Sequence, residues 1–213
     1  MSITNMNKRY KLWINSCIVI MITNFTYAND LTALDQRLVE SNNAFEQRDW
    51  PTALKGFKIL AEEGNPEAQF KLGYMLRNGR GVEKDFPASV FWYRKAATAG
   101  HVRAQNYLAI SLELGRGVEK NLSEASQWYL RAAKQDNLNA MHWIAKAHLD
   151  GIGMKQDYLT AYIWFTLARD LDMDCGRMKH GQNEAEQHLS TEQLATAQAR
   201  IKAWRMNSRQ GSP

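Results

Sequence analysis

Residues 65–100 read NPEAQFKLGYMLRNGRGVEKDFPASVFWYRKAATAG. They lie without a gap over the next 36 residues, 101–136, which read HVRAQNYLAISLELGRGVEKNLSEASQWYLRAAKQD. Ala68, Gln69, Leu72 and Leu76 recur as Ala104, Gln105, Leu108 and Leu112. The run Gly79 to Lys84 recurs whole as Gly115 to Lys120, and Trp92-Tyr93 recurs as Trp128-Tyr129. A more worn third copy begins at Asn137 and keeps Ala140, Ile144, Gly151, Gly153, Asp157, Ala161, Trp164, Phe165 and Ala168. Self-similarity at a fixed period of this length marks a fold built by stacking one supersecondary unit on the next.

Each unit reads as two helices. Ala68, Leu72 and Met75 or Leu76 fall on one face of the first helix. Asn65 before Pro66 has the form of an N-cap followed by proline at the first helical position. Gly79 stops the helix, because glycine tolerates the left-handed conformation wanted just past a C-terminus. The second helix starts near Asp85-Phe86-Pro87, with an acid by the positive end of the helix dipole. Its inward face is Ser89, Trp92, Tyr93 and Ala96, and Gly100 closes it. Small residues recurring beside one large ring let stacked helix pairs share a continuous core, which no single pair has alone. The tryptophans recur at one helical phase in every copy, which assigns them to that core rather than to ligand stacking. The Gly-x-Gly turns lack both the third glycine of a dinucleotide loop and the Lys-Ser/Thr of a phosphate loop. Arg80 and Arg116 occupy equivalent turns, but Ile152 stands in the third, so no basic stripe for nucleic acid runs along the stack.

Outward from the repeats, residues 29–64 read as a shorter capping pair. Asp49, Ala53, Phe57 and Gly64 stand 36 residues before Asp85, Ser89, Tyr93 and Gly100, but no Gly-x-Gly precedes them. The repeats themselves are bounded at 65–100, 101–136 and 137–172, and residues 173–206 read as closing helices. The first of these spans 177–189. Ser190 and Gln193 then form a capping box, flanked by a Leu189/Leu194 staple. Leu194, Ala197, Ile201 and Trp204 stripe the last helix, and 207–213 read as a tail.

At the other end, Lys8, Arg9 and Lys11 precede an apolar run from Leu12 to Phe25 and then Thr26-Tyr27-Ala28. This is the charged, apolar and small-residue order of a secretory signal peptide over 1–28. It predicts export to the periplasm or beyond; an uncleaved leader would instead anchor the chain. The whole chain carries a formal net charge of +5. Lys8, Arg9 and Lys11 are the only charged residues of 1–28, so without that segment 24 basic residues face 22 acidic ones. Basicity thus belongs largely to the leader and does not argue for a nucleic-acid partner. With Cys17 in the leader, Cys175 is left alone, and the fold has no internal disulfide.

The residues Ala68, Leu72-Gly73, Gly79-Arg80-Gly81-Val82, Asp85, Trp92 and Ala96-Ala97, with their counterparts one and two periods on, resemble the Sel-one-like repeat family, a branch of the tetratricopeptide-like solenoids. The resemblance covers about 65–172 and departs at Ser89, Leu76, Leu112 and Met154. It implies an all-α, right-handed α-solenoid of stacked antiparallel helix pairs. It also implies a non-enzymatic scaffold or adaptor that binds a segment of another protein on the concave face lined by first helices.

Chemistry is hard to find in the pattern. Asp170, Asp172 and Asp174 begin like a calcium loop, but Cys175 and Gly181 stand where Gly and Glu are required. His180, Glu184 and His188 share one helical face, yet the two histidines are about 12 Å apart along the axis, too far for one ion. No nucleophile stands beside a base. The sequence therefore predicts no catalytic residues, no metal and no cofactor. On the first helices, positions outside the core change from copy to copy, and these are the expected partner-binding residues: Phe70, Tyr74, Arg77, Asn106, Ile110, His142 and Lys146. Phe70 and Tyr74, four apart, read as an exposed aromatic anchor or, alternatively, as packing against a neighbouring repeat. The chain is expected to be a monomer. The competing functional readings are an envelope enzyme or peptidoglycan-associated factor, which calls for a deep pocket with clustered acids, and a membrane-anchored assembly factor that keeps its leader.

Overall fold

A computed structural model describes residues 33–171 and 176–210. Ten helices and no strand occur among them. They are α1 (33–46), α2 (Trp50–Glu62), α3 (Pro66–Asn78), α4 (Phe86–Thr98), α5 (Val102–Leu114), α6 (Leu122–Ala133), α7 (Leu138–Asp150), α8 (Tyr158–Leu171), α9 (Gly176–Glu186) and α10 (Thr191–Gln210). Helices α3 and α4, α5 and α6, and α7 and α8 form tight pairs, and each pair packs on the one before through α2–α3, α4–α5 and α6–α7 contacts. The architecture is an all-α solenoid. Residues 1–32, with the leader and Cys17, and residues 172–175, with Cys175, lie outside the described part.

The period sets where α2 to α8 begin. Asp49, Asp85, Asn121 and Asp157 each accept a hydrogen bond from the backbone N–H three residues on, at 3.3, 2.8, 2.9 and 3.0 Å. Asn65, His101 and Asn137 do the same for the first helices. Such a cap contributes about 1 kcal/mol, and in a stack it also fixes the axial position of each helix against its neighbour. Upstream, α1 ends at residue 46 without a Gly-x-Gly turn, and Arg48 takes the left-handed conformation instead (φ 61). Downstream, α9 stops at Glu186. Ser190 N–H then donates to Gln193 Oε1 at 2.8 Å, and Gln193 N–H donates to Ser190 Oγ at 3.2 Å, so the capping box starts α10.

Buried apolar side chains form two clusters that meet at α3. Ala68, Leu72 and Met75 face α1 and α2 with Phe57 and Leu60, whereas Phe70 opens the larger cluster that continues to Ile201 on α10. Tyr93, Tyr129 and Phe165 are its recurring rings, each at most 2% exposed. Trp128 and Trp164 are buried, while Trp92 is half-buried against the N-terminal cluster. Ala197 and Ile201 of α10 close the far end, and Trp204 meets Trp164 edge-on at 5.3 Å.

The turns do more than reverse the chain. Gly79, Gly115 and Gly151 are left-handed C-caps with φ between 67 and 72°. The second glycines, Gly81, Gly117 and Gly153, also have positive φ (72, 76 and 74°), and each rests on the start of the previous pair's second helix. A Cβ on Gly117 would fall 2.4 Å from the backbone of Phe86, and one on Gly81 would fall 2.6 Å from Trp50 Cβ. A Cβ on Gly115 meets nothing closer than 3.4 Å. Gly115→Ala therefore incurs mainly the left-handed strain, about 1 kcal/mol, whereas Gly117→Ala adds a backbone clash and is expected to cost about 3 kcal/mol. Urea melts of the two variants check this; equal losses would show that the second glycine has no seating role.

Candidate functional site

The first helices carry the variable positions, and the structure splits their shared face into a closed half and an open half. On the N-terminal half, Phe70 is 1% exposed, so it is not the exposed anchor its spacing implied. The next repeat covers it. His101, the N-cap of α5, stacks on its ring at 4.8 Å, Tyr107 meets it edge-on at 5.6 Å, and the Arg103 guanidinium lies 4.7 Å above it. His101 Nδ1 accepts the Ala104 N–H, so Nε2 is the donor to the Glu67 carboxylate at 2.8 Å. That hydrogen bond, opposed by burial and aided by the charges of Lys71 and Arg103, holds the Glu67 carboxyl below its usual range. Asn106 is likewise buried, at 3% exposure, which withdraws it from a contact role.

Tyr74, Arg77 and Ile110 are half-buried. Tyr74 packs edge-on against Tyr107 at 6.0 Å, and Arg77 covers Tyr107 at 5.0 Å. Arg80, from the first Gly-x-Gly turn, lies 5.0 Å from both Trp50 and Tyr74 and 5.6 Å from Phe45. Cations spread over the edges of this aromatic cluster desolvate it while keeping their charges at the surface. The space left among Phe45, Glu46, Lys71 and Tyr74 is only about 130 Å³.

The open half lies on α5, α7 and α9. A groove of about 170 Å³ is lined by Glu113, His142, Trp143, Lys146, Asp150 and Ile152. It continues into a larger depression of about 440 Å³, where His142 and Lys146 are joined by Leu149, Phe165, His180 and Glu184. His142 and Lys146 border both parts, so two of the sequence-predicted positions sit at its centre. Trp143 stacks on Tyr129 at 4.3 Å, and the His142 ring stands edge-on to Phe165 at 6.2 Å. Lys146 pairs with Asp150 at 2.7 Å, one turn along the same helix. Ile152, at the position of Arg80 and Arg116, is 52% exposed at the rim. Sequence reasoning missed Trp143; the signal was an aromatic at the same register in two copies, Tyr107 and Trp143.

One substitution series explains why the two halves differ. Tyr129 donates to Glu113 at 2.6 Å, and burial, then Glu113, raise its phenol above the ordinary tyrosine value. One period earlier the pair is Tyr93 and Arg77. No hydrogen bond joins them, and the buried Tyr93 hydroxyl has no partner among the described residues. One period later the pair is Phe165 and Leu149, fully apolar, and both line the larger depression. Tyr129→Phe should cost about 1 kcal/mol by removing the hydrogen bond to Glu113, whereas Tyr93→Phe should cost less than about 0.5 kcal/mol or stabilise. Thermal melts of both variants test this, and an equally large loss in Tyr93→Phe would show a donor or acceptor at its hydroxyl.

No group of three or more His, Cys, Asp and Glu among the described residues is arranged to hold a metal. His188 stacks on Tyr158 at 4.1 Å, away from His180 and Glu184 at the groove. Asp170 accepts a hydrogen bond from Arg205 Nε at 2.8 Å, joining α8 to α10. Asp172 and Asp174 lie outside the described residues. No described helix is long and apolar enough to cross a membrane.

A family model described as the Sel1 repeat matches residues 66–101, 102–137 and 138–173, together just over half of the chain. Sel1 repeats generally mediate protein–protein interactions. A solved Sel1 repeat protein from Oxalobacter formigenes is similar, with 31% identity and a TM-score of 0.60 over 70% of this chain and 56% of its own. A second is c5321, a protective antigen present in uropathogenic Escherichia coli strains and displaying an SLR fold. It shows 26% identity and a TM-score of 0.53 over 72% of this chain and 40% of its own. The chain thus spans less than two thirds of either protein. No curated protein matches it.

Proposed function

This chain belongs to the Sel1 repeat family, and on that premise we propose that it is an exported, non-enzymatic interaction scaffold of the cell envelope that binds a segment of another protein along its first-helix face. The observation that carries this reading is the groove centred on His142 and Lys146. Its floor is apolar, with Trp143, Leu149 and Phe165, and its rim is charged, with Glu113, Lys146, Asp150 and Glu184. An apolar floor supplies contact area, and a rim of both signs orients and selects the occupant. Its length across α5, α7 and the closing helix α9 suits an extended or helical segment better than a compact small molecule. Tyr74, Arg77 and Ile110 flank it as secondary contacts, and the scaffold acts as a monomer.

Export rests on the order of residues 1–28, with removal after Ala28. N-terminal sequencing of the protein from the envelope fraction should therefore begin at Asn29; an intact chain confined to the cytosol would contradict export. The binding face is tested by placing a photo-crosslinking amino acid at Lys146 on the groove or at Gln127 on the exposed side of α6. A discrete adduct from position 146, lost when Trp143→Asp is added and absent from position 127, is expected. Equal adducts from both positions, or none from 146, would overturn the groove as the binding face.

A further inference from the structure

At the edge of the stack away from the Gly-x-Gly turns, Gln69 and Gln105 hold the same place in successive repeats and are 5% and 4% exposed. Each donates its amide N–H to a carbonyl near the end of the preceding second helix, Gln69 Nε2 to Ala61 O at 3.1 Å and Gln105 Nε2 to Ala97 O at 3.2 Å. Those bonds fix the amide orientation and leave each Oε1 to find a donor elsewhere. In the second repeat that donor is Gln135 Nε2, at 2.9 Å, from just past the end of α6. Thirty-six residues earlier the chain has Ala99, whose side chain carries no donor, and Gln69 Oε1 is buried without a partner among the described residues. In the third repeat Met141 replaces the glutamine, and the requirement disappears.

The place that Gln135 fills in the second repeat has no amide side chain in the first. A shallow depression of about 430 Å³ lies there, lined by Gln69, Phe91, Arg94, Lys95, Thr98 and Ala99. Phe91 is 53% exposed, an unusual state for a phenylalanine on an otherwise polar helix face. Lys95 Nζ lies 4.7 Å over Phe91 and 5.0 Å over Trp92, and no carboxylate among the described residues reaches it. Arg94 is held by Glu124 of the next repeat.

We infer that this depression is a second docking site, for a partner polypeptide segment that presents a side-chain carboxamide next to a carboxylate. The carboxamide takes the place of the Gln135 side chain and donates to Gln69 Oε1. Its aliphatic stem packs on Phe91, and the adjacent carboxylate pairs with Lys95. The internal copy supplies the template for the amide, and the unpaired cation supplies the charge preference. The site is separate from the first-helix groove and does not depend on it.

The test uses isotope-labelled protein and the peptide acetyl-Ala-Gln-Glu-Ala-amide, followed by nuclear magnetic resonance. Saturable shifts are expected at the Gln69 side-chain amide and at Phe91, Lys95 and Ala99. Replacing the peptide glutamine by methionine should weaken binding roughly tenfold, the scale of one hydrogen bond to a buried acceptor. Ala99→Gln should supply the missing amide from within, raising the thermal midpoint and abolishing the shifts. Lys95→Glu should weaken binding without lowering that midpoint. The inference is overturned by the absence of saturable shifts up to about 10 mM peptide. It is also overturned by equal binding of the methionine peptide, or by binding that survives both Ala99→Gln and Lys95→Glu.

Discussion

The second glycine of the first two Gly-x-Gly turns sits where no side chain fits, with Gly117 against the backbone of Phe86 and Gly81 against Trp50, and Gly153 lies close against Ser126 and Leu122. That contact joins the turn of one repeat to the N-terminus of the preceding second helix, and much of the stack follows from it. The seated turn sets how far one helix pair lies from the next. Caps at Asp49, Asp85, Asn121 and Asp157 then fall at equal spacing, and Tyr93, Tyr129 and Phe165 arrive at the same depth in one continuous core. Small residues such as Ala68, Ala104 and Ala140 recur because the imposed spacing leaves no room for larger ones.

With spacing fixed by turns and caps, the side chains that face away from the core are free to differ between repeats. The Arg77/Tyr93, Glu113/Tyr129 and Leu149/Phe165 series shows how one register position passes from an unbonded pair to a hydrogen bond to an apolar contact. The same drift places Arg80 over an aromatic cluster at one end and Ile152 on the rim of an open groove at the other. A uniform scaffold thereby acquires one closed face and one open face. The glutamine ladder shows the same economy at the opposite edge: two repeats keep Gln69 and Gln105, but only the second keeps the donor that completes the pair.

The period, the helix pairs and the capping box at Ser190 and Gln193 were legible in the sequence because each is a local pattern with a local cause. Burial of Phe70 was not. On its own helix Phe70 lies beside the core stripe, and only the stacking of His101, 31 residues later and acting as the next helix's cap, encloses it. Asn106 failed for the same reason, since burial there is set by the neighbouring pair. His142 and Lys146 were legible as variable register positions, and the space beside them stays open next to α9. Trp143 carried a visible signal, an aromatic in register with Tyr107. The Ala99/Gln135 difference was also in plain view, but its meaning needed the hydrogen bond between Gln135 and Gln105.

Native-state hydrogen exchange tests most directly whether the seated turns hold the stack as one unit. The amides of Asp85, Asn121 and Asp157, which end the three turns, donate to Leu76 O, Leu112 O and His148 O at 3.0, 2.9 and 2.9 Å. If the turns open only when the stack opens, these amides will exchange with the same free energy as buried helix amides such as that of Leu108. Exchange of the three at the rate of surface loops, while the helices stay protected, would contradict the seating of each turn on its predecessor as the constraint that organises this fold.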